Sequence, residues 1–225
     1  MRASEHRMVK IMLVGGEGSL IVSEGYRKIV KGWAVQSKMD TCLPTSLHNV
    51  LLEIAQRKDN HYPPFMPSFR QICDLCGYTP GGTPWDEAYK GLRTEMRRRK
   101  IVEWAIEKRD DIRLDPQKLC DIVGDKSASF PVVTLGAEYL VDLYGAKLEG
   151  TPHSWASHSV TVIGCSVSSY LVFDTYGGHG GTHLLEIGKN TFEGYWMCGS
   201  PRKGVMWFEK KNLPLERFQG GDGDE

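Results

Sequence analysis

The sequence predicts a single α+β domain in which helices come first and an antiparallel sheet follows. Three observations carry this. An apolar stripe at helical spacing begins just after Cys42, further helix start signals fall before residue 100, and from residue 158 onward the chain is dense in β-rich runs. At 225 residues and 40% hydrophobic content, the chain is near the upper end of one domain and has ample material for a core.

In chain order, residues 9 to 23 read as VKIMLV, a GGEG turn and SLIV, which predicts a β-hairpin. GGEG lacks the Lys-Ser/Thr that completes a phosphate loop and opens no helical pattern. The segment DTCLPTSLHNVLLEIAQRK places Leu47, Val50, Leu51, Ile54 and Ala55 on one face of an amphipathic helix, with Asp40 or Thr41 as cap and Pro44 in the first turn. Cys42 therefore lies at a helix N-terminus. After a proline-rich loop, Ser68 caps a short helix, FRQICDLC, stopped by Gly77; Thr83 caps a longer one with Pro84 in first position and Trp85, Ala88, Tyr89, Leu92 and Met96 on its apolar face. IVEWAI predicts a strand, DPQKLCDIVG a short helix and FPVVTLG a buried strand. Beyond them HSVTVIGC, YLVFDTYG, HLLEI and GVMWFEKK are four strand candidates, interrupted by the short helix TFEGYWM. The terminal GGDGDE has the composition of a solvated tail.

Lys plus Arg and Asp plus Glu number 28 each, so no net field draws the chain to nucleic acid, an anionic membrane or a basic partner. The opening apolar run IMLV is too short for a secretory signal, and no stretch approaches the ~20 apolar residues of a spanning helix. Six cysteines without an export signal predict reduced thiols and a cytoplasmic setting.

Acyl transfer needs a nucleophile, a base, an orienter and an oxyanion donor. A thiol is a strong nucleophile only as thiolate, which a helix N-terminus and a nearby imidazole favour, so Cys42 leads among the cysteines. His158 leads among seven histidines because it opens a strand followed by one carrying Asp174, and a carboxylate inside the apolar run LVFDTY needs a partner. A tight turn at Val167 and Ser168 sets Asp174 opposite Thr161, three residues or ~10 Å from His158 at ~3.4 Å per residue. The pairing therefore requires a bulge or a wider loop.

Other motifs read as structural. Cys73 and Cys76 share an apolar helical face with Phe69 and Ile72, and no second ligand pair follows at zinc spacing. Cys120, Cys165 and Cys198 have no ligand spacing. His179 and His183 lie in a glycine-rich loop, His48 lies on the same helix as Cys42, and Arg97 to Lys100 form a solvated basic helix end. No cofactor and no metal is expected.

Gln36, five residues, Cys42 and then PTSLHNVLLEI resemble the nucleophile segment of the papain-like cysteine peptidases, and most of all the double-glycine leader-peptidase (bacteriocin-processing) branch. HSVTVIGC, YLVFDTYG and TFEGYW resemble its His strand, Asp strand and aromatic helix, so that the similarity spans roughly residues 31 to 208. The resemblance implies a papain-like domain over residues 31–215, with the nucleophile's helix packed on the antiparallel sheet; the hairpin segment at 1–30 is expected as an integral sheet edge or a regulatory segment over the cleft, and 216–225 as a disordered tail. It also implies that Gln36 donates to the oxyanion, Cys42 attacks the carbonyl of a peptide or amide substrate, His158 moves the proton and Asp174 holds His158. Trp196 resembles the aromatic that shields the base. The family usually has glycine after the nucleophile, where this chain has Leu43, and a non-catalytic peptide-binding module on the same fold stays open as the alternative.

Overall fold

The computed structural model describes residues 12–14, 30, 32–36, 39–57, 65–144, 157–176 and 183–211. Among the described residues, seven strands form one sheet: β1 (Met12–Val14), β2 (Trp104–Arg109), β3 (Val132–Leu135), β4 (His158–Cys165), β5 (Ser169–Phe173), β6 (Leu184–Gly188) and β7 (Val205–Lys210). Their order is β1-β6-β5-β4-β3-β7-β2. All neighbours are antiparallel except β1, which runs parallel to β6 with Met12 beside Leu185. The rest of the expected N-terminal hairpin, and the terminal tail, lie outside the described residues.

The helices are α1 (Cys42–Gln56), α2 (Phe69–Leu75), α3 (Trp85–Arg98), α4 (Pro116–Gly124), α5 (Ala137–Tyr144) and α6 (Lys189–Met197). The mixed α+β architecture is the expected one, with the N-terminal helices against the sheet. Leu47, Val50, Leu51 and Ile54 of α1, Ile72 of α2 and Leu92 and Met96 of α3 form one core with Val132, Met206 and Phe208 of the sheet. A second core joins Leu119 and Ile122 of α4, Tyr139 of α5 and Phe192 and Trp196 of α6 to Val160, Val162, Val172 and Ile187. The sheet is thus covered on both faces, which explains why every residue of β4 up to Gly164 is buried.

Local signals decide most helix ends. Ser68 and Gln71 form a reciprocal capping box at the start of α2, and Asp115 caps α4 by accepting from the Gln117 amide at 2.9 Å. One start differs from expectation: Pro84, not Thr83, occupies the cap position of α3. Thr41, one of the two expected caps, occupies that of α1, without a side-chain capping bond. Asp40 is drawn elsewhere: its carboxylate accepts from the Tyr78 hydroxyl at 3.0 Å and the Gly81 amide at 3.2 Å. Gly81 and Gly82 adopt φ of 108° and 133°, and those left-handed values let this turn fold back onto the approach to Cys42.

Helix α5 is an addition to the expected elements. AEYLVDLY follows directly on β3 and is rich in residues that also favour strands, so its period is obscured at eight residues. Cys120 and Cys165, expected as separate thiols, are joined in a disulfide between α4 and the end of β4, their Cα atoms 5.5 Å apart across a sequence separation of 45. The packing of α4 on β4 creates that proximity, which spacing along the chain does not reveal. Among the described residues no helix is long and apolar enough to cross a membrane. In the basic run at the end of α3, Arg98 and Arg99 both bond Glu95, the exposed ion pairs of a solvated face.

Candidate active site

Cys42 is the first residue of α1, where unpaired backbone amides favour a negative charge. His158 is the first residue of β4, and Asp174 follows β5 by one residue. The route between the last two is a change of register. Cys165 faces Tyr170 and Gly164 faces Leu171, but Val162 faces Val172 and Thr161 faces Phe173, so Ile163 is an extra residue in β4. Without that bulge, the first two pairs extrapolate to Asp174 opposite Thr161, on the other face from His158. With it, Asp174 falls opposite Val160, two residues from His158 and on the same face. The gap closes to a 2.7 Å bond between His158 Nε2 and Asp174 Oδ1.

Asp174 is fully buried and well supplied with donors. The Tyr176 amide donates to Oδ1 at 2.8 Å and the Tyr139 hydroxyl to Oδ2 at 2.8 Å. Its backbone amide donates to His183 O at 2.8 Å, and its carbonyl lies 2.7 Å from His183 Nδ1. Such a set of donors offsets the cost of burying a carboxylate. Tyr139 also lays its ring on His158, with centroids 5.7 Å apart and planes 12° from parallel. One side chain therefore touches both members of the pair. Trp196, expected over the base, instead sits in the core and donates its indole N–H to Gly204 O at 2.9 Å.

With Nε2 taken by Asp174, the other ring nitrogen of His158 is the one available to Cys42. Burial by itself would raise the Cys42 thiol, but the hydrogen bond and charge of His158, with hydrogen bonds from Ser159, reverse this and hold it below the ordinary thiol range. Burial likewise opposes a charged His158, yet the charge and hydrogen bond of Asp174, followed by those of Cys42, raise its pKa. Both shifts favour a thiolate beside an imidazolium, and the two groups titrate as a coupled pair. Cys73 and Cys76 move the other way, both raised by burial.

Gln36 is buried, and its amide has a defined orientation. Its Oε1 accepts from the Thr175 hydroxyl at 2.6 Å while its backbone N–H donates to Thr175 O at 2.9 Å. The oxygen end of the amide is thus held next to the residue that follows Asp174, and the NH2 end is turned away from Thr175. Leu43 does not face this group of residues. It is 3% exposed and packs in the core with Leu47, Val50 and Ile72. The structure therefore brings Cys42, His158 and Asp174 into one connected set and ties Gln36 to it through Thr175. His179 lies outside the described residues, His183 serves the Asp174 backbone, and His48 packs edge-on against Phe69 at 6.2 Å. Tyr139 and Thr175 were not legible as partners of Asp174 and Gln36. Only the TY that follows Asp174 in sequence gave any signal, for Thr175.

No protein-family profile matches the chain, and no curated protein matches it. Among solved structures it is similar to the peptidase domain of Streptococcus ComA, a bi-functional ABC transporter of a quorum-sensing pathway, at 13% identity, TM-score 0.46, and coverage of 79% of this chain and 97% of that one. It is also similar to a double-glycine-motif protease from an AMS/PCAT transporter, solved with its leader peptide, at 15% identity, TM-score 0.45, and coverage of 79% and 89%.

Proposed function

We propose that this chain is a cysteine peptidase or amide hydrolase of the papain-like kind, working through an acyl-enzyme on Cys42. The observation that carries the reading is the unbroken contact from Cys42 to His158 to the buried Asp174, on a thiol held below its ordinary range at a helix start. The Cys42 thiolate attacks the carbonyl carbon, a C–S bond forms, and the carbonyl π pair moves onto oxygen, where the Gln36 NH2 meets it. Collapse expels the amine, which takes its proton from the His158 imidazolium. Water then attacks the thioester with neutral His158 as base, releasing the acid and restoring the thiolate–imidazolium pair. Asp174 holds the ring and stabilises its charged form throughout.

Residues 31–215 make up the catalytic unit in this reading, and Met12–Val14 joins it by pairing with β6. The substrate is a peptide or amide, and no cofactor takes part. The packing of Leu43 in the core with Leu47, Val50 and Ile72 supports the catalytic reading over a non-catalytic binding module.

The test is thiol reactivity resolved by mass spectrometry. At pH 6 an ordinary thiol is only ~0.3% thiolate, so Cys42 should be alkylated by iodoacetamide well ahead of Cys73, Cys76 and Cys198. His158→Ala should cut that rate by ~10-fold or more. Uniform reactivity of the free cysteines, or a rate indifferent to His158, would sink the proposal.

A further inference from the structure

Asn49 is fully buried on α1, seven residues after Cys42. At 3.6 residues per turn, seven residues bring it back to within ~20° of the same helix face, ~10.5 Å along the axis. Its Oδ1 accepts from the Ala34 amide at 2.7 Å and its Nδ2 donates to the Ala34 carbonyl at 2.8 Å. Both backbone groups of one residue are thus bound by a single side chain, and this pairing also fixes which end of the carboxamide is oxygen.

Two residues further on stands Gln36, held by Thr175 through its backbone and its side chain. The segment from Trp33 to Gln36 belongs to neither a helix nor a strand. Asn49 anchors it from the helix that carries Cys42, and Thr175 anchors it from the residue beside Asp174. A buried carboxamide is unfavourable unless its hydrogen bonds are made, and an apolar residue would fill the space as well. What Asn49 adds is register between the Gln36 segment and α1.

We propose that Asn49 is a positioning residue for acyl transfer, registering the oxyanion donor Gln36 against Cys42 through α1, with Thr175 completing the register from the Asp174 side. The proposal rests on the function assigned above. It separates two properties of the site: the thiolate depends on His158 and Ser159, whereas stabilisation of the oxyanion depends on where the Gln36 amide sits. Loss of Asn49 should impair the second and spare the first.

Two probes distinguish them. Alkylation of Cys42 by iodoacetamide passes through no oxyanion, while acetylation by para-nitrophenyl acetate passes through a tetrahedral one. In Asn49→Ala, alkylation should stay within about twofold of wild type and acetylation should fall ~10- to 100-fold, as a misplacement of ~1 Å produces. Gln36→Ala should slow acetylation ~100- to 1000-fold. The double variant should then be no slower than Gln36→Ala alone, since Asn49 has nothing left to position. Thr175→Val, which removes the hydroxyl with little change of volume, should give the same split and provides the test should Asn49→Ala fail to fold. Equal loss of both rates, or losses that add to that of Gln36→Ala, would show a merely structural role and overturn the proposal. Absence of acetylation in the wild type would instead refute the function itself, and this inference with it.

Discussion

Replacing Asp174 by asparagine separates the geometry of the site from its charge. Oδ1 accepts from both His158 Nε2 and the Tyr176 amide. The backbone amide can only donate, so the carboxamide oxygen must take the Oδ1 position in D174N. Its NH2 then faces the Tyr139 hydroxyl, which can turn to accept. His158 keeps an acceptor and loses an anion. A hydrogen bond to a charged group contributes ~1.5–3 kcal/mol and a neutral one ~0.5–1.5, leaving a difference of ~1–1.5 kcal/mol in stabilisation of the imidazolium. At ~1.4 kcal/mol per unit, the His158 pKa should fall by about one unit. The assay is NMR titration of the His158 ring, its signal assigned by its disappearance in His158→Ala. Stability should follow the same sign. His158 is raised above its ordinary 6.5 in the folded chain, so the stabilisation from its charged form is fully present below that value and is lost as pH rises through the folded pKa. The lead of wild type over D174N in unfolding free energy should therefore be widest below about pH 6.5 and narrow at alkaline pH. Wild-type His158 titrating at or below 6.5, or the same value in both proteins, would refute the reasoning.

Two further substitutions test neighbouring features. Tyr139→Phe keeps the ring stacked on His158 but removes the hydroxyl that donates to Asp174, and urea denaturation should show a loss of ~1–3 kcal/mol; a change below ~0.5 kcal/mol would mean that the bond contributes little. Leu43→Gly tests whether the Leu43 side chain limits acyl transfer; Leu43 is a core residue, so stability should fall by ~3–5 kcal/mol with no gain in the rate of acetylation. Faster acetylation at unchanged stability would place the Leu43 side chain against the substrate after all.

Helix α1 and the position of Cys42 at its start were legible because helical hydrogen bonds join residues four apart, and the stripe Leu47, Val50, Leu51 and Ile54 records that period directly. The strands carrying His158 and Asp174 were legible from composition, and so was the conflict that made a bulge necessary. Ile163 as the bulged residue was not, since any residue of VTVIGC could have been the extra one. Of the two expected caps of α1, Thr41 holds the position; Asp40 does not, because its partner is the turn at Tyr78 to Gly81, which is distant in sequence.

By itself, then, the sequence determined which residues could supply a nucleophile, a base, an orienter and an oxyanion donor, and that the nucleophile would sit at a helix start. Tertiary structure alone decided that His158 and Asp174 meet and that Gln36 is tied to the residue beside Asp174 through Thr175. The shift at Ile163 turned Asp174 to the face of His158, helix α5 brought Tyr139 over both, Asn49 held Ala34 and Thr175 held Gln36, and Leu43 was packed into the core. The difference is physical. Helices and caps are local and leave their period in consecutive residues, whereas strand register, the direction of a buried side chain and the Cys120–Cys165 contact depend on segments far apart, where a slip of one residue reverses a face.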